Sequence, residues 1–263
     1  MAKIGAILVV GGGVAGLTAA AALHRHGFTT ELVERQQTWH ALGAGFLVHP
    51  NGMRMLFSLG LAAGVMDAGA VVRRWQFCDE RGAMLSETDL EALWSDAGPC
   101  IGIERTKLQR ALLPGIANVR CRLGTSVTFL EQDVRRVSVA FSDGTTGDYD
   151  LVVGADGIKS IVRALTLTTA GPSDLGAMNW RSIAPIRPGG LTALQLHLGA
   201  GGHTRSRRCA RRPWAQAQIR THRPVAAAER SCRRAESEQC CASSWHLDRS
   251  ALRWSGSRRV LST

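Results

Sequence analysis

IGAILVVGGGVAGLTAAAAL, from Ile4 to Leu23, runs twenty residues without a charge. Length alone would let it cross a hydrocarbon core, for which about eighteen apolar residues suffice. Its internal order argues otherwise. Ile4 to Val10 is a β-branched run of the kind a buried parallel strand shows, Gly11, Gly13 and Gly16 follow in the spacing G-x-G-x-x-G, and Leu17 to Leu23 is alanine-rich and favours helix. Strand, tight glycine turn and helix make a phosphate cradle: the first glycine permits the turn, the second lets a diphosphate approach the backbone, and the third lets helix and strand pack closely. The helix N-terminus adds unpaired N–H groups and a partial positive charge. A signal peptide fits less well, because Lys3 and the apolar run are present but no small-residue cleavage site follows.

The glycine spacing is weak evidence until a second strand follows and ends in an acid about twenty residues on. Gly27 can cap the helix, Phe28 to Val33 has strand composition, and Glu34 closes it eighteen residues after Gly16. An acid at that place binds both hydroxyls of an adenosine ribose, and it would repel a 2′-phosphate. The turn is therefore expected to hold FAD or NAD in preference to NADP.

Charge is unevenly spread over the 263 residues, whose net value is +11. Residues 1–198 hold 18 Lys and Arg against 17 acids, while residues 199–263 hold 14 Arg, no Lys and 4 acids. That last stretch has only six Leu, Ile or Val and no Phe or Tyr, a composition expected to stay disordered. An arginine-rich nucleic-acid arm would explain the charge, with Trp214, Trp245 and Trp254 to stack on bases, but no recognised module accompanies it. A zinc site from Cys209, Cys232, Cys240, Cys241, His222 or His246 lacks C-x-x-C or H-x₃₋₅-H spacing. The preferred expectation is a segment not selected as protein, since Arg, Ala, Ser, Cys and Trp without Lys, Phe or Tyr is what a GC-rich gene yields out of frame. Seven cysteines without paired spacing argue against a secreted disulfide framework, so Cys78, Cys100 and Cys121 are expected as reduced thiols in a cytoplasmic protein.

Beyond Glu34 come Arg35 and GAGFLVHPNGMRMLFSLGL, Gly43 to Leu61, in which Phe46 to Val48 is a short strand and Pro50 with Asn51 opens a helix that ends at Gly60. Val71 to Cys78, the turn DERG and Met84 to Ser86 form a hairpin that leaves the nucleotide fold. IGIERTKLQRALL, Ile101 to Leu113, is a strand end followed by a helix, with Arg105 at the junction, where it can reach an anion bound at the glycine turn. From Val119 the strands VRCRL, SVTFLEQ, RRVSVAFSDG and DYDLVV are expected as an antiparallel meander that returns to the parallel sheet at Leu151 to Val153. GADGIKSIVR, Gly154 to Arg163, is then a further strand, glycine turn and helix, with Asp156 in the turn.

Over residues 4–198 this succession resembles the FAD-dependent aromatic-ring hydroxylases, the class A flavoprotein monooxygenases that include salicylate- and urate-hydroxylase-like enzymes. The resemblance rests on VVGGGVAGLTAAAAL with Glu34 and Arg35, on GAGFLVHPNG, on the Arg105 segment, on GADGIKSIVR, and on MNWRSIAPI at Met178 to Ile186. It implies an α/β, Rossmann-like FAD-binding domain over 1–165 with an inserted antiparallel meander, its hairpin 71–98 facing a substrate domain. Residues 166–198 would begin that mixed-sheet domain and 199–263 would be the disordered tail. It further implies that Gly11, Gly13, Ala15 and Gly16 face the FAD diphosphate, that Glu34 holds the ribose with Arg35 near the adenine, and that Arg105 meets the flavin side. Val127 would offer backbone groups to the adenine, and Asp156 would tie FAD to the groove where NAD(P)H docks.

The implied chemistry is hydroxylation of a small aromatic ring with NAD(P)H and O₂, with no membrane partner. The cofactor carries it, so no catalytic base can be named, and the protein must exclude water and orient the ring. His49 is a candidate lining residue, with capping or surface exposure as its plainer role. The family's second FAD motif, G-D-A-A-H, has no counterpart, since the only Gly-Asp pair is Gly147–Asp148 within the meander. The chain is accordingly expected to be truncated or frameshifted, keeping affinity for the adenosine end without turnover.

Overall fold

The computed structural model describes residues 5–39, 45–167, 170–173, 178–184, 193–199, 202–208, 215–221, 241–242 and 260–262. The uncharged opening stretch is split as its glycines require. Strand β1 (Ala6–Val10) enters the turn, and helix α1 (Val14–Arg25) leaves it. Gly27, at φ 81°, turns the chain into β2 (Thr29–Glu34). No helix among the described residues is long and apolar enough to cross a membrane.

The next elements form a small antiparallel sheet with two helices. Strand β3 (Gly45–Val48) is followed by helices α2 (Pro50–Ser58) and α3 (Ala62–Ala68), and β4 (Ala70–Val71) leads to the hairpin β5 (Arg74–Cys78) and β6 (Met84–Asp89). The single turn α4 (Leu90–Leu93) is capped by Asp89, whose carboxylate accepts from the Glu91 and Ala92 amides. Strand β7 (Ile101–Glu104) then pairs antiparallel with β3 and β4, and runs straight into helix α5 (Arg105–Leu112).

Strand β8 (Arg120–Leu123) corrects one expectation. VRCRL was expected in the antiparallel meander, yet β8 pairs parallel with β2, Glu34 opposite Leu123. It is the edge of the main sheet, because the chain has already crossed back through α5. The meander proper is β9 (Val127–Gln132), β10 (Val137–Phe141) and β11 (Thr146–Tyr149), closed by the expected Ser-Asp-Gly turn with Gly144 at φ 81°. Strand β12 (Leu151–Gly154) then pairs parallel with β1, and helix α6 (Ile161–Thr166) follows.

Strands β13 (Met178–Ala184), β14 (Leu194–Gly199), β15 (Gly202–Arg208), β16 (Ala215–Thr221) and β17 (Cys241–Ala242) join β5 and β6 in a seven-stranded sheet ordered β17-β13-β16-β15-β14-β5-β6. The hairpin that leaves the nucleotide fold is thus part of the second sheet. Within the stretch expected to be disordered, β15 and β16 are paired in register over seven residues each, and AQAQIRT does alternate small or apolar with polar residues, the period of a strand. Strand β18 (Val260–Ser262) lies on β12, giving the parallel sheet its order β18-β12-β1-β2-β8. The remainder of 199–263 lies outside the described residues.

The parallel sheet buries both faces, as its continuous apolar runs require. On one side Ile7, Val9 and Leu32 meet Leu17, Ala20 and Ala21 of α1 and, beyond it, Leu108 and Leu112 of α5. On the other, Leu8, Val10 and Val33 pack on Val137, Val139 and Phe141 of the meander. Leu108 is 2% exposed, and its replacement by alanine should cost about 2–5 kcal/mol.

Candidate functional site

The site lies at the carboxyl ends of β1, β2 and β12, where connections leave the sheet in opposite directions and open α/β folds gather ligands. Each glycine of the turn has its own reason to lack a side chain. Gly11 sits at φ 108°, and a Cβ there would come 2.5 Å from the Ala155 carbonyl oxygen and 2.8 Å from the Asp156 Cα. A Cβ on Gly12 would meet the Trp39 ring at 2.6 Å and a Glu34 carboxylate oxygen at 3.0 Å. On Gly16 it would run into the Gly11 carbonyl. Gly13 differs: its φ of −75° suits any residue, and nothing lies within 4 Å of the place a Cβ would take. The protein leaves a bare strip of backbone there, open to a ligand.

The head of α1 is equally free. Gly13 is its N-cap without a side chain to accept from the first amides, and no acid stands in the first turn. Gly13, Val14 and Ala15 therefore present backbone N–H groups with the partial positive charge of a twelve-residue helix behind them. A diphosphate fits that donor set.

Glu34 stands against the same turn. Its Oε2 accepts from the Gly12 amide at 2.6 Å and its Oε1 from the Gln36 amide at 2.8 Å, so the carboxylate is aimed rather than loose. Arg35, next in the chain, is exposed. Val127 opens β9 a few residues past the point where the Thr125 amide donates to the Glu34 carbonyl at 3.1 Å, which brings that segment alongside Glu34; the Val127 side chain is buried.

Arg105 is the first residue of α5, held at the sheet by β7. Its guanidinium lies 5.4 Å from the centre of the Phe46 ring on β3, and no carboxylate pairs with it among the described residues. Burial pushes its pKa below the ordinary value. A guanidinium stays charged all the same, and a half-buried one stacked on an aromatic face without a counter-ion is suited to an anionic ligand.

Asp156 is committed within the protein. One carboxylate oxygen accepts from the Ser160 hydroxyl at 2.5 Å and the other from the Ile161 and Val162 amides at 2.7 and 3.2 Å, so the side chain fixes the start of α6. Its backbone, by contrast, seals the glycine turn from behind. His49 precedes α2, is exposed and meets Trp94 edge-on with ring centres 5.5 Å apart. Two contributors were not read from the sequence: Trp39, whose ring covers Gly12, and Gln109, whose Nε2 donates to the Gly12 carbonyl at 3.1 Å. Neither belongs to the glycine pattern, and Gln109 lies 97 residues from its partner. Among the described residues no group of three or more His, Cys, Asp or Glu could hold a metal ion.

The FAD binding domain family matches this chain over residues 5–248. The chain belongs to that family. Among its relatives, 3-amino-4-hydroxybenzoate 2-monooxygenase of Streptomyces cremeus is 37% identical over 188 residues, 68% of this chain and 46% of the relative. The FAD-dependent urate hydroxylase of Klebsiella pneumoniae is 32% identical over 183 residues, 68% of this chain and 47% of the relative. The chain thus spans about half the length of these curated relatives. Klebsiella pneumoniae HpxO, solved with FAD and uric acid, superimposes with a TM-score of 0.77 at 27% identity, covering 88% of this FAD-family chain and 60% of HpxO.

Proposed function

We propose that this chain holds FAD in a monooxygenase that hydroxylates a small aromatic or heteroaromatic compound at the expense of NAD(P)H and O₂. The observation that carries it is the Glu34 carboxylate bonded to the Gly12 amide at 2.6 Å, at the mouth of a turn whose next glycine faces open space. Gly11, Gly13, Ala15 and Gly16 would seat the diphosphate, Glu34 would bind the ribose hydroxyls, and Arg35 would lie by the adenine. Val127 would present backbone groups to that ring, Arg105 would meet the flavin side, and Asp156 would steady the turn through α6.

When bound, FAD supplies the redox and oxygen chemistry. The residues of the chain bind it, orient it and keep water away. Desolvation strengthens the Arg105 charge toward an anion, and the Trp39 ring shields the Gly12 peptide. The relatives' aromatic and urate substrates support the substrate class. The buried thiol of Cys78 supports a reducing, cytoplasmic location.

Two readouts on the purified chain test this: the flavin absorbance it carries or takes up on titration with FAD, and NAD(P)H oxidation with and without urate or hydroxybenzoates. Flavin uptake is the expected result, and ring-stimulated oxidation separates an active hydroxylase from a chain that keeps affinity for the adenosine end without turnover. Failure to bind any flavin would remove the proposal, and flavin binding without oxidation in the presence of any ring would reduce it to a dinucleotide binder.

A further inference from the structure

We propose that Gln109 is a positioning residue for the cofactor's diphosphate: by holding the Gly12 carbonyl inward it turns the Gly13 N–H outward, toward the ligand. This rests on the assignment of the glycine turn to FAD. A peptide unit is planar and trans, so its C=O and the following N–H point to opposite sides. The Gln109 amide donates to the Gly12 oxygen at 3.1 Å from inside the protein. The Gly13 N–H is thereby directed away from α5, and no hydrogen bond among the described residues uses it. The preceding peptide is fixed as well, because the Gly12 N–H is held by Glu34. One peptide orientation is thus set by the ribose-binding acid and the next by the glutamine.

Stability gives only half a reason for a glutamine at this place, the bond of its Nε2 to the Gly12 carbonyl. Gln109 is 6% exposed, and its Oε1 is buried without a hydrogen-bond partner among the described residues. It lies on α5 beside Leu108 and one turn before Leu112, both fully buried, so a leucine would suit the surroundings. An unmet buried acceptor is a cost that offsets part of what the bond to the Gly12 carbonyl contributes. Binding supplies the reason that packing does not. Gln109 also stands four residues after Arg105, so the same helix that carries the cation fixes the turn.

The test compares wild type with Q109L in three assays: affinity for ADP and FAD by titration calorimetry, adenosine binding by saturation-transfer NMR, and thermal melting of the apoprotein. Loss of one aimed backbone donor should weaken ADP and FAD about tenfold. Adenosine, which meets Glu34 and lacks the diphosphate, should bind as before, and the melting temperature should fall by no more than the loss of one hydrogen bond accounts for. Q109M keeps the length, cannot donate, and should lose about as much ADP affinity; if Q109L does not fold, the same readouts on Q109M decide. Unchanged ADP affinity overturns the positioning role, as does a lowered melting temperature with parallel loss of adenosine, which would mark a merely structural residue. A wild type that binds neither ADP nor FAD would instead remove the cofactor assignment itself.

Discussion

At the glycine turn the protein holds its own backbone from two sides, with the Glu34 carboxylate on the Gly12 amide and the Gln109 amide on the Gly12 carbonyl. At the head of α5, by contrast, the Arg105 guanidinium has the Phe46 ring and no carboxylate among the described residues. The glycine turn is organised before any ligand arrives, while the head of α5 keeps a cation in reserve. A preorganised end gives affinity without ordering cost, and an uncommitted cation gives discrimination between ligands that extend to it and those that do not.

The largest effect should separate two glycines that differ in role although only Gly12 stands between them in the chain. Gly11→Ala forces a left-handed backbone and a Cβ against Ala155, and should cost roughly 2–5 kcal/mol of stability together with FAD binding. Gly13→Ala places its methyl in open space, so chemical denaturation should show stability kept or raised by up to about 1 kcal/mol. Its FAD affinity should nonetheless fall by about a hundredfold, since the methyl enters the diphosphate's place. Equal stability loss in both variants would erase the distinction between a turn built for the fold and one built for a ligand.

Next in size, Arg105→Met should weaken FAD about tenfold and leave ADP affinity unchanged, because ADP ends before the flavin side. Calorimetric titration of both ligands checks this, and a parallel loss of ADP would place Arg105 at the wrong end.

The smallest effect concerns the wall behind the site. The Tyr149 hydroxyl donates to Glu31 at 2.9 Å and so ties the meander to β2. Burial, then the Glu31 carboxylate, raises the phenol pKa above its ordinary value. A raised folded-state value means that the neutral phenol is favoured, so its contribution is complete below the unfolded pKa of about 10 and is lost as pH rises beyond it. Tyr149→Phe should cost about 1 kcal/mol at neutral pH and flatten the alkaline fall in melting temperature.

Local patterns made the glycine turn legible. The strand, turn, helix and second strand occupy one short unit, so the spacing from Gly11 to Glu34 is set by the length of α1 and by nothing remote. Arg105 was legible for the same reason, standing where β7 becomes α5. Gln109 and Trp39 were not, because each acts through a contact that folding creates and no period announces. The parallel pairing of β8 was hidden as well: four residues of RCRL carry no sign of which edge they will join. In β16 the alternation of AQAQIRT was present but outweighed by the arginine content around it.

Titration of FAD into wild type and Glu34→Gln, side by side in one calorimeter, tests the central claim most directly. Wild type should bind FAD and discriminate against NADP, and the variant, having lost a charged acceptor for the ribose hydroxyls, should bind FAD about ten- to a hundredfold more weakly. Equal affinity in the two proteins would contradict the account.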